Sequence, residues 1–141
     1  MATVSGEFQV NTYTTSEQSD PSIAALSDGG FVVTWTSLGQ DGHDRGIYAQ
    51  RYDANGGASG AEFQVNTYTT SSQSTARTAA LNDGGFVVTW QSYGQVYSGM
   101  YGVYAQRYDA NGNASGAELE IARTTTSTST STMQPSIAAL S

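Results

Sequence analysis

The chain has 141 residues and a net charge of −7, and only 12% of its residues are charged. All five basic residues are arginines, so the chain lacks the dense positive surface with which proteins bind nucleic acid or anionic membranes. The absence of cysteine excludes disulfides and thiolate metal sites. No apolar run approaches the ~20 residues of a membrane helix, and the first residues lack the pattern of a Sec-type signal peptide.

The sequence repeats itself almost without change. Residues 7–15, 29–35 and 48–56 return as residues 62–70, 84–90 and 104–112, and a weaker third start is visible in residues 118–121 and 135–141. A period of about 55 residues is typical of a modular array, in which each unit buries its apolar face against a neighbour. A repeated residue is therefore expected to build the module rather than to act as a unique catalytic group.

The first half of each unit predicts a tight hairpin. Residues 22–26 form the first predicted strand, and residues 31–36 form the second. Asp-Gly between two apolar runs, as at residues 28–29 and 83–84, indicates a tight turn. In the second strand Val32 and Thr34 alternate with larger side chains, so both faces are apolar or β-branched. This pattern indicates a central strand that is covered on both sides.

The second half of each unit predicts two further strands. After a polar loop at residues 37–45, residues 46–52 form the third strand, and the Asn-Gly turn at residues 53–56 follows. Residues 61–66 form the fourth, with Phe63 and Val65 inward and Glu62, Gln64 and Asn66 outward, as in an edge strand with a wet face. The Thr- and Ser-rich link at residues 67–75 leads to the next unit.

These strands predict an all-β fold of tandem four-stranded antiparallel units. The period favours β-propeller-like blades, and a β-sandwich is the alternative. We divide the chain into an outer strand and link (residues 1–15), repeat unit 1 (16–70), repeat unit 2 (71–122), and a low-complexity link with the start of a third unit (123–141).

Self-association is expected from the two ends of this pattern. Residues 7–12 have the sequence of a fourth strand, and residues 137–140 have that of a first strand, each without its hairpin partner. Two blades do not close a ring that needs about four to eight, and unpaired strands expose backbone donors and acceptors. The expected partners are therefore neighbouring repeats or further copies of the chain in a homo-oligomer.

Residues 31–35, 46–56 and 62–67 together resemble a repeat of long bacterial secreted proteins, the RTX-type, calcium-associated exoproteins and adhesins exported by type I secretion. The resemblance covers nearly the whole chain and implies an extracellular or cell-surface location. It also implies a structural or adhesive role. The Gly-Gly-x-Gly-x-Asp calcium repeats that usually accompany such proteins are absent from this sequence, so calcium binding through that motif is not carried over.

Two loops have oxygen-rich sequences. Asp41 and Asp44 are candidate calcium ligands because calcium prefers several oxygen ligands on flexible loops, although the second unit has no acid there. A solvated loop is the alternative, and no other cofactor is expected. The Asp53 and Asp109 turns resemble calcium loops only superficially, because a hairpin turn in which Asp caps its own backbone explains the same residues.

Aromatic side chains recur in the strands and in one loop. We expect the strand residues to form the core, where the hydroxyl groups of the strand tyrosines need partners and Gln50, Gln106, Arg51 and Arg107 are the candidates. The loop tyrosines are candidate sugar-binding residues, because loops carry function. The core residues are Phe31, Val33, Trp35, Phe86, Val88 and Trp90, and the loop tyrosines are Tyr93, Tyr97 and Tyr101.

We predict that the chain is not an enzyme. His43 is the sole histidine and has no ligand cluster around it, and no nucleophile elbow is present. The glycine pairs follow turn aspartates between strands, so they are not phosphate-binding loops. Two functions remain open, namely a structural or adhesive repeat module that stacks and self-associates, and a glycan-binding propeller that uses its end loops.

Overall fold

The computed structural model describes residues 6–124 and 135–138 and contains eight strands in two antiparallel sheets, with order β1-β2-β3-β4 and β5-β6-β7-β8. The strands are β1 (Gln18–Ala25), β2 (Phe31–Leu38), β3 (Arg45–Tyr52), β4 (Phe63–Gln64), β5 (Gln73–Ala80), β6 (Phe86–Tyr93), β7 (Tyr101–Tyr108) and β8 (Leu119–Arg123). The all-β class and the tandem four-stranded antiparallel units are thereby confirmed. These residues include no helix long and apolar enough to cross a membrane.

The predicted Asp-Gly hairpins join β1 to β2 and β5 to β6. In the first turn the carboxylate of Asp28 accepts the backbone N–H of Gly30 at 2.9 Å, while Gly29 has φ 88°. A Cβ on Gly30 would lie 2.2 Å from the carbonyl oxygen of Tyr52, so this position requires glycine. The second unit repeats the arrangement around Asp83, and the turn chemistry therefore sets the register of both sheets.

The second strand of each unit is central, as its composition predicts. β2 pairs over its whole length with β3, from Phe31 opposite Tyr52 to Leu38 opposite Arg45. All its residues from Val32 to Ser37 are buried, on both faces of the sheet. The strand contributes to two different clusters because alternate side chains point to opposite sides.

The first strand of each unit begins earlier than expected and contains a bulge. The prediction started it at residue 22, whereas β1 starts at Gln18. The register shifts between Ser19 and Ser22, where Asp20 has φ 52°. Thr75 has φ 54° at the same place in β5. A residue with backbone in the left-handed region breaks the alternation of a strand, so the sequence pattern does not predict the part of the strand before the bulge.

The fourth strand of the first unit is shorter than predicted. Only Phe63 and Gln64 pair with β3 as a strand, instead of residues 61–66. The prediction of a wet outward face is wrong for Asn66, which is 4% exposed. Its side chain accepts the backbone N–H of Ile47, so a side chain replaces the strand pair that would have come next.

The expected outer strand at residues 7–12 is not a strand. We call these residues the leading segment; within residues 6–124 and 135–138 they have no strand partner. The segment instead lies against the first sheet through side chains, with the ring of Phe8 centred 5.3 Å from that of Tyr52. The expected strand at residues 137–140 lies partly outside the described residues, and residues 137–138 are not in a strand.

The two sheets pack front to back around one core. Val32, Ile47 and Ala49 on one face of the first sheet join Phe86 and Trp90 on the opposite face of the second. The first sheet packs mainly against β5, which contacts β1, β2 and β3. One face of the first sheet thus meets the opposite face of the second. Both blade-like stacking and a two-sheet sandwich are compatible with this arrangement. The sheets do not close into a barrel.

Candidate functional site

The contact between the two sheets is built from polar as well as apolar groups. The guanidinium of Arg51 crosses to the second sheet and donates to the carbonyl oxygen of Ala110 at 2.8 Å. The hydroxyls of Thr34 and Thr78 lie 2.8 Å apart, and the backbone N–H of Thr78 donates to the hydroxyl of Ser22 at 3.2 Å. These bonds fix the relative position of the sheets, which burial of apolar area alone does not do.

A glutamate at the start of each fourth strand links successive units. The carboxylate of Glu62 accepts the backbone N–H of Thr12 at 2.8 Å and its hydroxyl at 3.0 Å. Glu118 binds Thr67 in the same way, with both distances 3.0 Å. The second oxygen of each glutamate accepts a glutamine amide, from Gln40 in the first case. Each unit therefore holds the segment that precedes its own first strand.

A buried carboxamide pair supports the same segment. The amide of Asn66 donates to the carbonyl oxygen of Tyr68 at 2.8 Å and to Gln73 at 3.0 Å. The leading segment has the same pair, because Asn11 donates to Gln18 at 3.0 Å. The alternation of the strands does not predict this pair or the glutamate links. The available signal is recurrence, because Asn11 with Gln18 returns as Asn66 with Gln73, and Glu62 returns as Glu118.

The outer faces of the two sheets expose the residues whose equivalents are buried between the sheets. Val65 is 3% exposed, whereas Ile121 at the same position of the second unit is 59% exposed. Arg51 is buried, whereas Arg107 is exposed and pairs with Asp83 of its own sheet. On the other side Ile23 is 64% exposed, while its equivalent in β5 is half-buried. Each sheet thus has one face packed against the other sheet, which we call the used face. Its other face is exposed to solvent, and we call it the open face.

A cavity of about 200 Å³ lies on the outer face of the first sheet. In the second sheet, the residues equivalent to those around the cavity pack against the first sheet. Two of them, Val88 and Trp90, are completely buried there. The indole N–H of Trp35 has no hydrogen-bond partner among the described residues, but neither has that of Trp90, so this group does not indicate a ligand. The cavity is lined by Val10, Asn11, Gln18, Ser19, Pro21, Val33 and Trp35.

The candidate calcium loop uses its oxygens in hydrogen bonds to the protein. One oxygen of Asp41 accepts the backbone N–H of His43 at 3.1 Å, and the other accepts the amide of Gln64 at 2.9 Å. Asp44 pairs with Arg45 at 3.8 Å. In the part of the chain that the structure describes, no three acidic or histidine side chains are grouped as metal ligands. Calcium binding at Asp41 and Asp44 stays a prediction.

The Asp-Ala-Asn-Gly segments are hairpin turns capped by their own aspartates. A single oxygen of Asp53 accepts the backbone N–H groups of Asn55 and Gly57, both at 2.9 Å. Asp109 does the same for Asn111 and Asn113. The turn interpretation is confirmed by these bonds.

The three tyrosines predicted to lie in one loop do not share one platform, and the loop position is wrong for two of them, because Tyr93 ends β6 and Tyr101 begins β7. Tyr93 and Tyr101 pack on each other, with ring centroids 4.8 Å apart. Tyr97 is 53% exposed, and the guanidinium of Arg123 lies 5.2 Å from its ring centroid. The adjacent cavity is about 10 Å³, which is smaller than a sugar ring requires. Tyr97 is therefore the most exposed of the three rings, and Arg123 lies over one of its faces.

Of the predicted core residues, only Phe31 is not fully buried. It stacks on Tyr52 at the outer face of the first sheet, whereas Phe86, in the same position, is completely buried between the sheets. Those that are buried are Val33, Trp35, Phe86, Val88 and Trp90.

The predicted partners of the tyrosine hydroxyls are wrong. The Gln50 amide donates to the carbonyl oxygens of Arg51 and Gly60, and Gln106 repeats this pattern. Arg51 reaches the second sheet instead of a tyrosine. Burial, followed by the nearby charge of Asp41, raises the pKa of Tyr48 to about 12. Tyr48 thus stays neutral and serves as a packing group.

Comparison of the chain with protein-family models, with curated proteins and with solved structures finds no match. The function is therefore inferred from the geometry of the described residues.

Proposed function

We propose that the chain is a structural repeat module, which works by packing its sheets in series against further copies or neighbouring repeats. The observation that carries this proposal is that equivalent residues of the two units lie on a used face in one unit and on an open face in the other. Val65 and Arg51 lie between the sheets, while their equivalents Ile121 and Arg107 lie on an open face. A front-to-back contact generates a series unless its rotation closes a ring.

The opposite open face supports the same proposal. Its cavity is bordered by Trp35 and Val33, which are the equivalents of two residues packed between the sheets. Phe8 and Ile23 add exposed apolar area nearby, at 44% and 64% exposure. Exposed apolar residues on the same face as an apolar cavity are typical of an interaction site. The setting we propose, a secreted bacterial surface protein with an adhesive role, comes from the resemblance of residues 31–35, 46–56 and 62–67 to the RTX-type repeat.

The test is the mass of the chain in solution at increasing concentration, compared between two variants. Ile23→Asp places a charge on the outer face of the first sheet without disturbing a buried contact. Ser98→Asp introduces the same charge in an exposed loop and serves as the control. Association that Ile23→Asp abolishes and Ser98→Asp preserves supports stacking through this face. Equal association of both variants contradicts it.

Glycan binding is the second candidate, and the exposed ring of Tyr97 favours it. Exposed aromatic faces stack on sugars, although here Arg123 already lies over the ring. A glycan array with the intact chain and with Tyr97→Ala tests it. Reproducible binding that Tyr97→Ala removes supports this function. If the chain binds no glycan, glycan binding is wrong and the structural module is the function that stands.

A further inference from the structure

We propose that the leading segment of one copy adds to β7 of a second copy and takes the place of that copy's β8. The proposal rests on the stacking function above, and it names the strand that joins one molecule to the next. It commits to a second copy of this chain as the partner.

The leading segment already has the side-chain contacts of a fourth strand but not its backbone pairing. Residues 7–12 are identical to residues 62–67. Phe8 lies 5.3 Å from Tyr52 between ring centroids, as Phe63 does from Tyr108. Yet within residues 6–124 and 135–138 no strand pairs with this segment, whereas residues 63–64 pair with β3. Within those described residues no third strand lies beside the segment.

β8 pairs with β7 at four positions, where β4 pairs with β3 at two, but it lacks side-chain features of the first unit's fourth strand. Its pairing with β7 shifts register between Val103 and Tyr104. Ala122 stands where the first unit has Asn66, and it has no oxygen with which to accept a backbone N–H. Leu119 and Ile121 are 60% and 59% exposed, so displacing them from the sheet gives up little buried apolar area.

The first unit shows the register that the exchanged strand would take. Phe63 lies opposite Ala49, and Gln64 lies opposite Tyr48. The equivalent pairs place Phe8 of one copy opposite Ala105 of the other. The Asn11 oxygen would then accept the Val103 N–H, as the Asn66 oxygen accepts that of Ile47.

The exchanged segment also carries the linking glutamate. Glu7 precedes Phe8 as Glu118 precedes Leu119. In the second copy it would take over the bonds that Glu118 makes to Thr67 and Gln95. The exchange therefore restores the Asn group that β8 lacks and leaves no glutamate link unmade.

Because the chain has no cysteine, disulfide trapping tests this register directly. Opposite residues of antiparallel strands have Cα atoms about 4.5–5.5 Å apart, which a disulfide can span. Phe8→Cys and Ala105→Cys are made as separate single variants and then mixed under mild oxidation. We expect a disulfide dimer containing one chain of each variant, formed far faster than the dimers of either variant alone.

Two intrachain pairs provide the controls. Ala49→Cys with Phe63→Cys should close within one chain and shows that the register supports a disulfide. Ala105→Cys with Leu119→Cys reports whether β8 stays in place, and we expect its closure to fall as concentration rises. If the wild-type chain associates but Phe8→Cys and Ala105→Cys form no mixed dimer, the exchange is wrong and the stacking function stands. If the wild-type chain stays monomeric, both fail.

Discussion

The side-chain oxygen of Asn66 accepts the backbone N–H of Ile47 at 2.7 Å, directly beside the bond from the backbone N–H of Val65 to the carbonyl oxygen of Ile47. A side chain thus completes the end of a strand pair. The same carboxamide donates to Tyr68 and to Gln73, so one buried residue connects β3, the link after β4 and β5.

Asn66→Ala should lower the free energy of unfolding by ~1–3 kcal/mol, because it leaves the buried N–H of Ile47 without an acceptor. Asn11→Ala is the matched control. It removes the same bonds to Tyr13 and Gln18, but Asn11 is only half-buried and accepts no N–H from the described part of the chain. Urea denaturation of both variants measures the difference. A larger loss for Asn11→Ala would contradict the role assigned to Asn66.

The same repeated arginine lies on a used face as Arg51 and on an open face as Arg107. The free energy of unfolding that Arg51→Ala and Arg107→Ala each remove compares the two faces. Arg51→Ala should cost ~1.5–3 kcal/mol, since it removes a buried bond from a charged group to Ala110. Arg107→Ala removes only an exposed pair with Asp83, which is typically worth ~0–1 kcal/mol. Denaturation at low protein concentration measures both. The reverse order would mean that the inner and outer faces have been assigned the wrong way round.

The two tryptophans provide a second comparison between the faces. Trp90 is completely buried between the sheets, and Trp90→Ala should cost ~3–5 kcal/mol, as large core aromatics do. Trp35→Ala should cost less, because a cavity of about 200 Å³ already borders its ring. Thermal unfolding of both variants gives the order. A loss below ~1 kcal/mol for Trp90→Ala would contradict its place in the core.

Alkaline pH should destabilise the fold through its buried tyrosines. Burial, then the charges of Asp41 and Glu62, raises the pKa of Tyr48 to about 12, and burial also raises the pKa of Tyr108. The folded state therefore favours the neutral phenols. Their contribution to stability is complete below pH ~10, the ordinary tyrosine pKa. It is lost as the pH rises from there through about 12.

Tyr48→Phe tests this linkage, because it keeps the ring and removes the titrating hydroxyl. Unfolding measured at increasing pH, together with tyrosinate absorbance, should show a shallower alkaline loss of stability in Tyr48→Phe than in the wild type. Tyr97→Phe is the control, since Tyr97 is half-exposed. Identical slopes for the wild type and Tyr48→Phe would show that Tyr48 ionises freely in the folded chain.

The hairpins could be predicted from sequence because their cause is local. Gly29 requires a positive φ, and the neighbouring aspartate bonds the turn backbone, so both signals lie within a few residues of the turn. The bulge at Asp20 has only a weak signal, since aspartate adopts a left-handed φ more readily than most residues, but Thr75 takes the same φ in the second unit without that preference.

The contact between the sheets was only partly predictable. Repetition indicated that units would pack on one another, but not which faces would meet. The burial of Asn66 depends on a link that returns to Gln73 and on a strand pair that ends early, and both are tertiary. Because alternation along the strand does not include these tertiary contacts, it predicts that Asn66 points outward. Its recurrence as Asn11 is the sequence signal that it has a structural role.

Sedimentation velocity over a wide range of protein concentration tests whether the chain stacks through its two open faces. We expect a mass that rises with concentration above the 14.8 kDa of one chain, and a return to one chain in Ile23→Asp. A single species of 14.8 kDa at every concentration of the wild-type chain would contradict it.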